Sequence, residues 1–155
     1  AEAAKRLSHY RVTTLSHTLV LLKIHPDNPP DRLIRQTADV LRRGGVIIYP
    51  TDTLYGFGCD IYNTAAIERI CRLKAIRPKD ARFSFVCCDL SHLSDYARQV
   101  DTPTFRLLKA ALPGPFTFIL PASRAVPKGV QNKQDTVGIR VPDHRITAAL
   151  VRALD

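Results

Sequence analysis

Methionine and tryptophan are absent from this chain of 155 residues, and aromatic residues make up only 7% of it. The first residue is Ala1, so the start reads as processed or incomplete. No apolar run exceeds four residues, as in Val46-Ile47-Ile48-Tyr49, far below the roughly 18 a membrane span needs. Nor does a basic start lead into an apolar stretch and a small-residue cleavage site, so no secretory signal is read. A cytoplasmic protein without membrane contact is expected. Several familiar catalytic signatures are also missing: the Gly-x-x-x-x-Gly-Lys-Ser/Thr phosphate loop, the Gly-x-Gly-x-x-Gly fingerprint and the Gly-x-Ser-x-Gly elbow. Carboxylates do not cluster. Hydrolytic and covalent catalysis are poorly supported, and no catalytic side chain is assigned.

The four cysteines, Cys59, Cys71, Cys87 and Cys88, form no Cys-x-x-Cys, and the five histidines show no metal spacing. Apolar neighbours such as Ile70, Phe85 and Val86 suit buried thiols in a reducing compartment. No metal site is expected.

What the chain has in excess is positive charge. Lys and Arg number 23 against 14 Asp and Glu, a net charge of +9. This favours polyanionic partners such as nucleic acid or nucleotide phosphates, although many basic domains bind neither. Apolar residues at 45% and charged residues at 24% are ordinary for a globular domain.

Residues 1–19 have no sustained period and read as an N-terminal extension. From residue 20 to 155, strand and helix patterns alternate. The spacing predicts strands over 20–25, 46–49, 83–88, 116–120 and 136–141. It predicts helices from Asp31 to Gly44-Gly45, from Asn63-Thr64 to Lys74, and over 91–98, 103–112 and 145–154. The apolar run 46–49 reads as a strand covered on both faces. That order predicts one α/β domain around a largely buried mixed sheet. The chain stops directly after an amphipathic helix with no C-cap glycine, which reads as a domain incomplete at its C-terminal end.

Three segments carry chemistry. In Tyr49-Pro-Thr-Asp-Thr-Leu-Tyr-Gly-Phe-Gly58, an extended chain after Pro50 would put Thr51, Thr53 and Tyr55 on one side, able to hold a small polar ligand. A strand end followed by a polar turn is the commoner meaning of such residues. Between Arg69 and Arg82, six cations face the single Asp80. Arg77, Lys79 and Arg82 lie beyond a helix end, where they could clamp phosphates or simply form a solvated face. In Thr136-Val-Gly-Ile-Arg-Val141, period two separates Thr136, Gly138 and Arg140 from the apolar Val137, Ile139 and Val141. An arginine there needs an anion, either an internal carboxylate or that of a ligand.

The runs GGVIIYPTDTLYGFGCD, KAIRPKDARFSF, LPGPFTFIL and DTVGIRVPDH, in this order, resemble the YrdC-like family, and its YciO branch most closely. The resemblance covers about residues 20–155. It implies a single three-layer α/β domain with a twisted mixed sheet and an open, positively charged cleft. It also implies L-threonylcarbamoyladenylate synthesis from L-threonine, bicarbonate and ATP with Mg²⁺, releasing pyrophosphate. The product serves tRNA threonylcarbamoyladenosine modification, and binding of tRNA or double-stranded RNA is the alternative activity. By the same resemblance, Lys74, Arg77, Ser84 and Thr136 contact ATP, while Thr53, Arg140 and Thr117 contact L-threonine. Two departures stand out. Where the synthases have Asn-Pro-Leu and then histidine, this chain reads Ala81-Arg82-Phe83-Ser84 and places Val86 at the histidine position. A further Ser-x-Asn-type segment would fall beyond residue 155.

Overall fold

The computed structural model describes residues 19–127 and 135–154. The expected extension at 1–19 lies, apart from Leu19, outside the described residues. Eleven elements follow in order: helix α1 (Asp31–Arg42), strands β1 (Ile47–Tyr49) and β2 (Gly56–Gly58), α2 (Thr64–Leu73), a 3₁₀ turn (Pro78–Asp80), β3 (Ser84–Val86), α3 (Leu93–Tyr96), α4 (Thr102–Ala111), β4 (Phe118–Pro121), β5 (Thr136–Arg140) and α5 (Arg145–Leu154). The architecture is the expected mixed α/β. Instead of one sheet, the described strands form two. β1 and β2 pair antiparallel, while the second sheet runs β3-β5-β4 and is mixed, β3 parallel and β4 antiparallel to the central β5.

Helix α1 buries Ile34, Thr37, Ala38 and Leu41, the 3.6-period face the sequence offers. Its end is made by Gly44 at φ 77°, a conformation glycine adopts without steric cost, with Gly44 N–H donating to the Leu41 carbonyl at 2.8 Å. Helix α5 packs against α1, and Ile34, Ile146 and Leu150 form a small core with Ile47 and Tyr49 at its edge. Arg42 ties the two helices by donating to the Ala153 carbonyl.

The larger core lies on one face of the β3-β5-β4 sheet. Phe85, Val137, Ile139 and Leu120 meet Leu108 of α4 and Cys71 of α2 there. Ile139 and Leu108 are fully buried. Each buried aliphatic of this kind contributes on the order of 1.5–3 kcal/mol.

Several sequence expectations are corrected. Residues 20–25 form no strand, and Leu19, Val20 and Leu21 are exposed. A largely apolar run becomes a strand only when another strand takes its backbone hydrogen bonds, and none does among the described residues. Strand β1 is not covered on both faces, since Ile48 is 62% exposed. The helix foreseen over 91–98 is a single turn, α3. Strand β2 was not foreseen at all. Its two glycines have low strand propensity, but they make room for an aromatic ring. Cβ atoms on Gly56 and Gly58 would come within 3.5 Å and 2.8 Å of the Tyr49 ring.

Candidate functional site: the open face of the mixed sheet

The face of the β3-β5-β4 sheet opposite the core is built by alternation. On β5 it carries Thr136, Gly138 and Arg140; the register sets Ser84 beside Gly138, and Val86 beside Arg140. On the other edge Ile119 pairs with Gly138. Thr117 reaches the same place: a Cβ on Gly138 would meet Ser84 Oγ at 2.9 Å and Thr117 Cγ2 at 3.3 Å. Ser84, Thr117 and Ile119 are exposed. Four of the residues singled out from sequence, Ser84, Thr117, Thr136 and Arg140, therefore share one open surface.

Thr53 joins them from another element. The chain after β1 does not stay extended, as the alternation of Thr51, Thr53 and Tyr55 required. It bends over 52–54 around the Thr51 hydroxyl, which accepts from Thr53 N–H and Leu54 N–H, both at 3.2 Å, and donates to the Leu54 carbonyl at 2.6 Å. A hydroxyl that satisfies local backbone groups in this way competes with strand geometry. Beneath the turn, the almost fully buried Thr147 of α5 donates to the Pro50 carbonyl at 2.5 Å and holds the turn's base.

The turn delivers three side chains to Arg140. Its Nη2 lies 2.7 Å from Asp52 Oδ1, 2.7 Å from Thr53 Oγ1 and 3.4 Å from Thr51 Oγ1. The Asp52–Arg140 ion pair is largely buried, its side chains 11% and 21% exposed. Asp52 Oδ2 and Arg140 Nε are both buried and without a hydrogen-bond partner among the described residues. The question left open by sequence, internal carboxylate or ligand, thus has a mixed answer. One internal carboxylate takes one nitrogen of the guanidinium, and the rest of the fork is not used by it. Tyr49 is close enough to feel the same charge. Burial pushes its phenol above the ordinary range, and Arg140 partly opposes that rise.

Asp52 was missed from sequence. The signal was present, since the only carboxylate in Thr51-Asp52-Thr53 lies inside the motif already chosen for ligand contact, and β5 offered an arginine in need of an anion.

No hydrogen bond or ion pair links Lys74 or Arg77 to this cluster among the described residues. Lys74 closes helix α2, whose N-terminus is capped by Asn63 accepting from Ala66 N–H at 2.9 Å. Arg77 precedes the 3₁₀ turn and pairs with Asp80 at 2.5 Å while its side chain stays 71% exposed. Every residue from Arg72 to Asp80 is exposed. A cavity of about 370 Å³ opens between β1, β3 and α5, lined by Ile47, Tyr49, Phe85, Cys87, Leu150 and others. Ser84 is in its wall, but Lys74, Arg77, Thr53 and Arg140 are not. This cavity is mostly apolar, with Arg42, Asp60, Asp89 and His92 also in its wall, and it does not show the basic cleft expected. All four cysteines carry thiols rather than disulfides. Burial raises the Cys59 thiol to about 11, helped by neighbouring Asp60 and Cys71. Among the described residues no cluster of three metal-ligating side chains occurs, and no helix is long and apolar enough to cross a membrane.

The chain is similar to proteins already known. YciO of Escherichia coli (strain K12) is 48% identical over 132 residues, which cover 84% of this chain and 63% of that protein. The chain thus spans less than two thirds of this relative's length. The crystal structure of E. coli YciO superposes with a TM-score of 0.79. A protein of Nitrosococcus oceani (strain ATCC 19707) named threonylcarbamoyl-AMP synthase is 38% identical over 125 residues, 81% of this chain and 67% of its own. P. abyssi Sua5, solved in complex with L-threonine, superposes with a TM-score of 0.76 at 28% identity, covering 82% of this chain and 37% of that one. The profile of the Sua5/YciO/YrdC family, described as telomere recombination, matches residues 39–155. With more than half of its length inside that match, the chain belongs to the Sua5/YciO/YrdC family.

Proposed function

We propose that this protein binds L-threonine on the open face of its mixed sheet and takes part in making L-threonylcarbamoyladenylate. The observation that carries the reading is Arg140, set on that face within 2.7 Å of the Thr53 hydroxyl. A guanidinium matches a carboxylate in a planar two-bonded fork, and a threonine hydroxyl beside it suits the polar end of the same small ligand. The names of two relatives, a threonylcarbamoyl-AMP synthase and a Sua5 complexed with L-threonine, support it.

In the reaction, the threonine nitrogen forms a carbamate with bicarbonate and water is lost. A carbamate oxygen then bonds to the α-phosphorus of ATP as pyrophosphate leaves. The protein's part is to hold the reactants together and to offset phosphate charge. Thr117 and Thr53 flank the threonine; Ser84 and Thr136 meet the nucleotide; Lys74 and Arg77 hold the phosphates of the magnesium-bound ATP. This last role requires Arg77 to exchange Asp80 for phosphate, which its exposure permits. The product would enter tRNA modification in the cytoplasm.

Pyrophosphate release that needs both threonine and bicarbonate tests the reading. Its loss in the Lys74→Ala/Arg77→Ala variant, with ellipticity unchanged, is the expected result. Release indifferent to threonine would exclude it.

A second reading has its own support. Val86 stands beside Arg140 in the register, where the synthases place a histidine, so no imidazole helps to hold threonine there. Meanwhile Arg72, Lys74, Arg77, Lys79 and Arg82 are all exposed along one stretch. Such a stretch fits double-stranded RNA or tRNA, bound mainly through phosphates, with affinity falling steeply as salt rises. RNA binding with that salt slope, and no threonine-dependent pyrophosphate, would favour this second function.

A further inference from the structure

The carboxylate of Asp52 has one oxygen engaged and one idle. Oδ1 accepts from Arg140 Nη2 at 2.7 Å, whereas Oδ2 has no partner among the described residues; on the arginine, Nε is idle in the same way. Leaving a charged, buried acceptor and a charged, buried donor both unpaired is costly, and more so in the low-dielectric interior. An ordinary structural ion pair would close by offering both oxygens to the guanidinium fork. This one leaves a free anionic acceptor next to a free cationic donor. Their complement is a small molecule with a cationic donor and an anionic acceptor a few bonds apart, an α-amino acid in its zwitterionic form.

We propose that Asp52 is a ligand-binding residue whose Oδ2 receives the ammonium group of the amino acid while Arg140 receives its carboxylate. The inference rests on the amino-acid reading above and adds the group that selects for the ammonium. Access is from the Thr53 side. The Arg140–Thr53 bond is the exposed part of the cluster and the Arg140–Asp52 bond its inner part. The ligand enters by turning the Thr53 hydroxyl away from the guanidinium. The side chain of Thr53 then serves the hydroxyl end of the ligand.

The probe is calorimetric titration of the chain with L-threonine and with 2,3-dihydroxybutyrate, which keeps the carboxylate and replaces the ammonium by a hydroxyl. The unaltered protein should prefer threonine by about tenfold or more, the worth of one hydrogen bond between charged groups. Asp52→Asn should lose that preference, weakening threonine about tenfold while holding the dihydroxy acid within about threefold. Asp52→Glu, which keeps the charge, should recover part of it, and ellipticity confirms that each variant is folded. Equal weakening of both ligands would show a purely structural pair and overturn the proposal. Tighter binding of both would show that Asp52 is a competitor for Arg140, and would overturn it equally. Arg140→Ala reports separately on the underlying reading: threonine binding untouched by that change, or none in the unaltered protein, removes the amino-acid site itself. Retained threonine binding that depends on Arg140 but not on Asp52 removes only the role of Asp52.

Discussion

Arg140 and Asp52 stand 88 positions apart in the chain and meet at 2.7 Å, so an ion pair joins the turn after β1 to the last strand of the mixed sheet. Removing one member of a buried pair leaves the other charged and unsolvated, at a cost of about 3–5 kcal/mol. Here both side chains keep some access to water, so Arg140→Ala should destabilise by about 2–4 kcal/mol. The double variant Asp52→Ala/Arg140→Ala removes the stranded carboxylate and should be more stable than Arg140→Ala alone. Urea unfolding of the four proteins gives the cycle. A double variant no better than the single one would mean that the pair carries no desolvation penalty.

A smaller effect belongs to the cap of helix α2. Asn63 accepts from Ala66 N–H and leaves the helix's first turn one fewer unsatisfied donor. Asn63→Ala should cost about 1 kcal/mol, whereas Asn63→Asp retains the acceptor and should cost little. A comparison of the two midpoints checks this, since a role confined to packing would make both equally harmful.

The pH dependence follows from Cys59. Its thiol is raised from an ordinary 9.0 to about 11 because burial disfavours the thiolate. An acid whose pKa is higher when folded favours the folded state while protonated. The contribution is therefore complete below pH 9 and is lost as pH rises towards 11. Tyr49, raised in the same direction, adds to the decline further up the scale. Melting temperatures should fall across this window, and Cys59→Ser should flatten the first part of the fall. Parallel curves for the two proteins would assign the alkaline transition to other groups.

Legibility in the sequence followed physical cause closely. Helices α1, α2, α4 and α5 and strands β3, β4 and β5 carry their burial pattern in local periodicity, whereas the apolar run of β1 overstated its burial. Where the structure depends on partners far along the chain, the pattern misled. Residues 20–25 have strand composition but no neighbour among the described residues to complete a ladder, while Gly56-Phe57-Gly58 has poor strand composition and pairs because Tyr49 needs the space. The face of Arg140 was readable from alternation. Its contact with Asp52 was not, because nothing in local spacing says that the turn at 51–55 curls back over β5. For Arg77 the charge pattern offered a phosphate clamp and a solvated face alike; the choice of Lys74 with Arg77 came from family resemblance, and the structure leaves both exposed.

Gly138 joins the fold to the candidate site most directly. It sits in the middle of β5 with an ordinary strand conformation, so its lack of a side chain matters for space rather than for backbone freedom. A Cβ would lie 2.9 Å from Ser84 Oγ and 3.3 Å from Thr117 Cγ2. Strand neighbours on both sides fix the backbone, so the relief must come from those two side chains. Ser84 is small and exposed and can turn; Thr117 is β-branched and stiffer at χ1. Gly138→Ala should therefore destabilise by about 1–3 kcal/mol, the usual range for overpacking. Part of this should return in Ser84→Ala/Gly138→Ala, where the nearest atom is gone. Because Ser84 and Thr117 are both moved, nucleotide and threonine binding should weaken in Gly138→Ala beyond what its stability explains, measured well below its melting temperature. Binding that is unchanged in a folded Gly138→Ala protein would place the ligands elsewhere than on this face of the sheet.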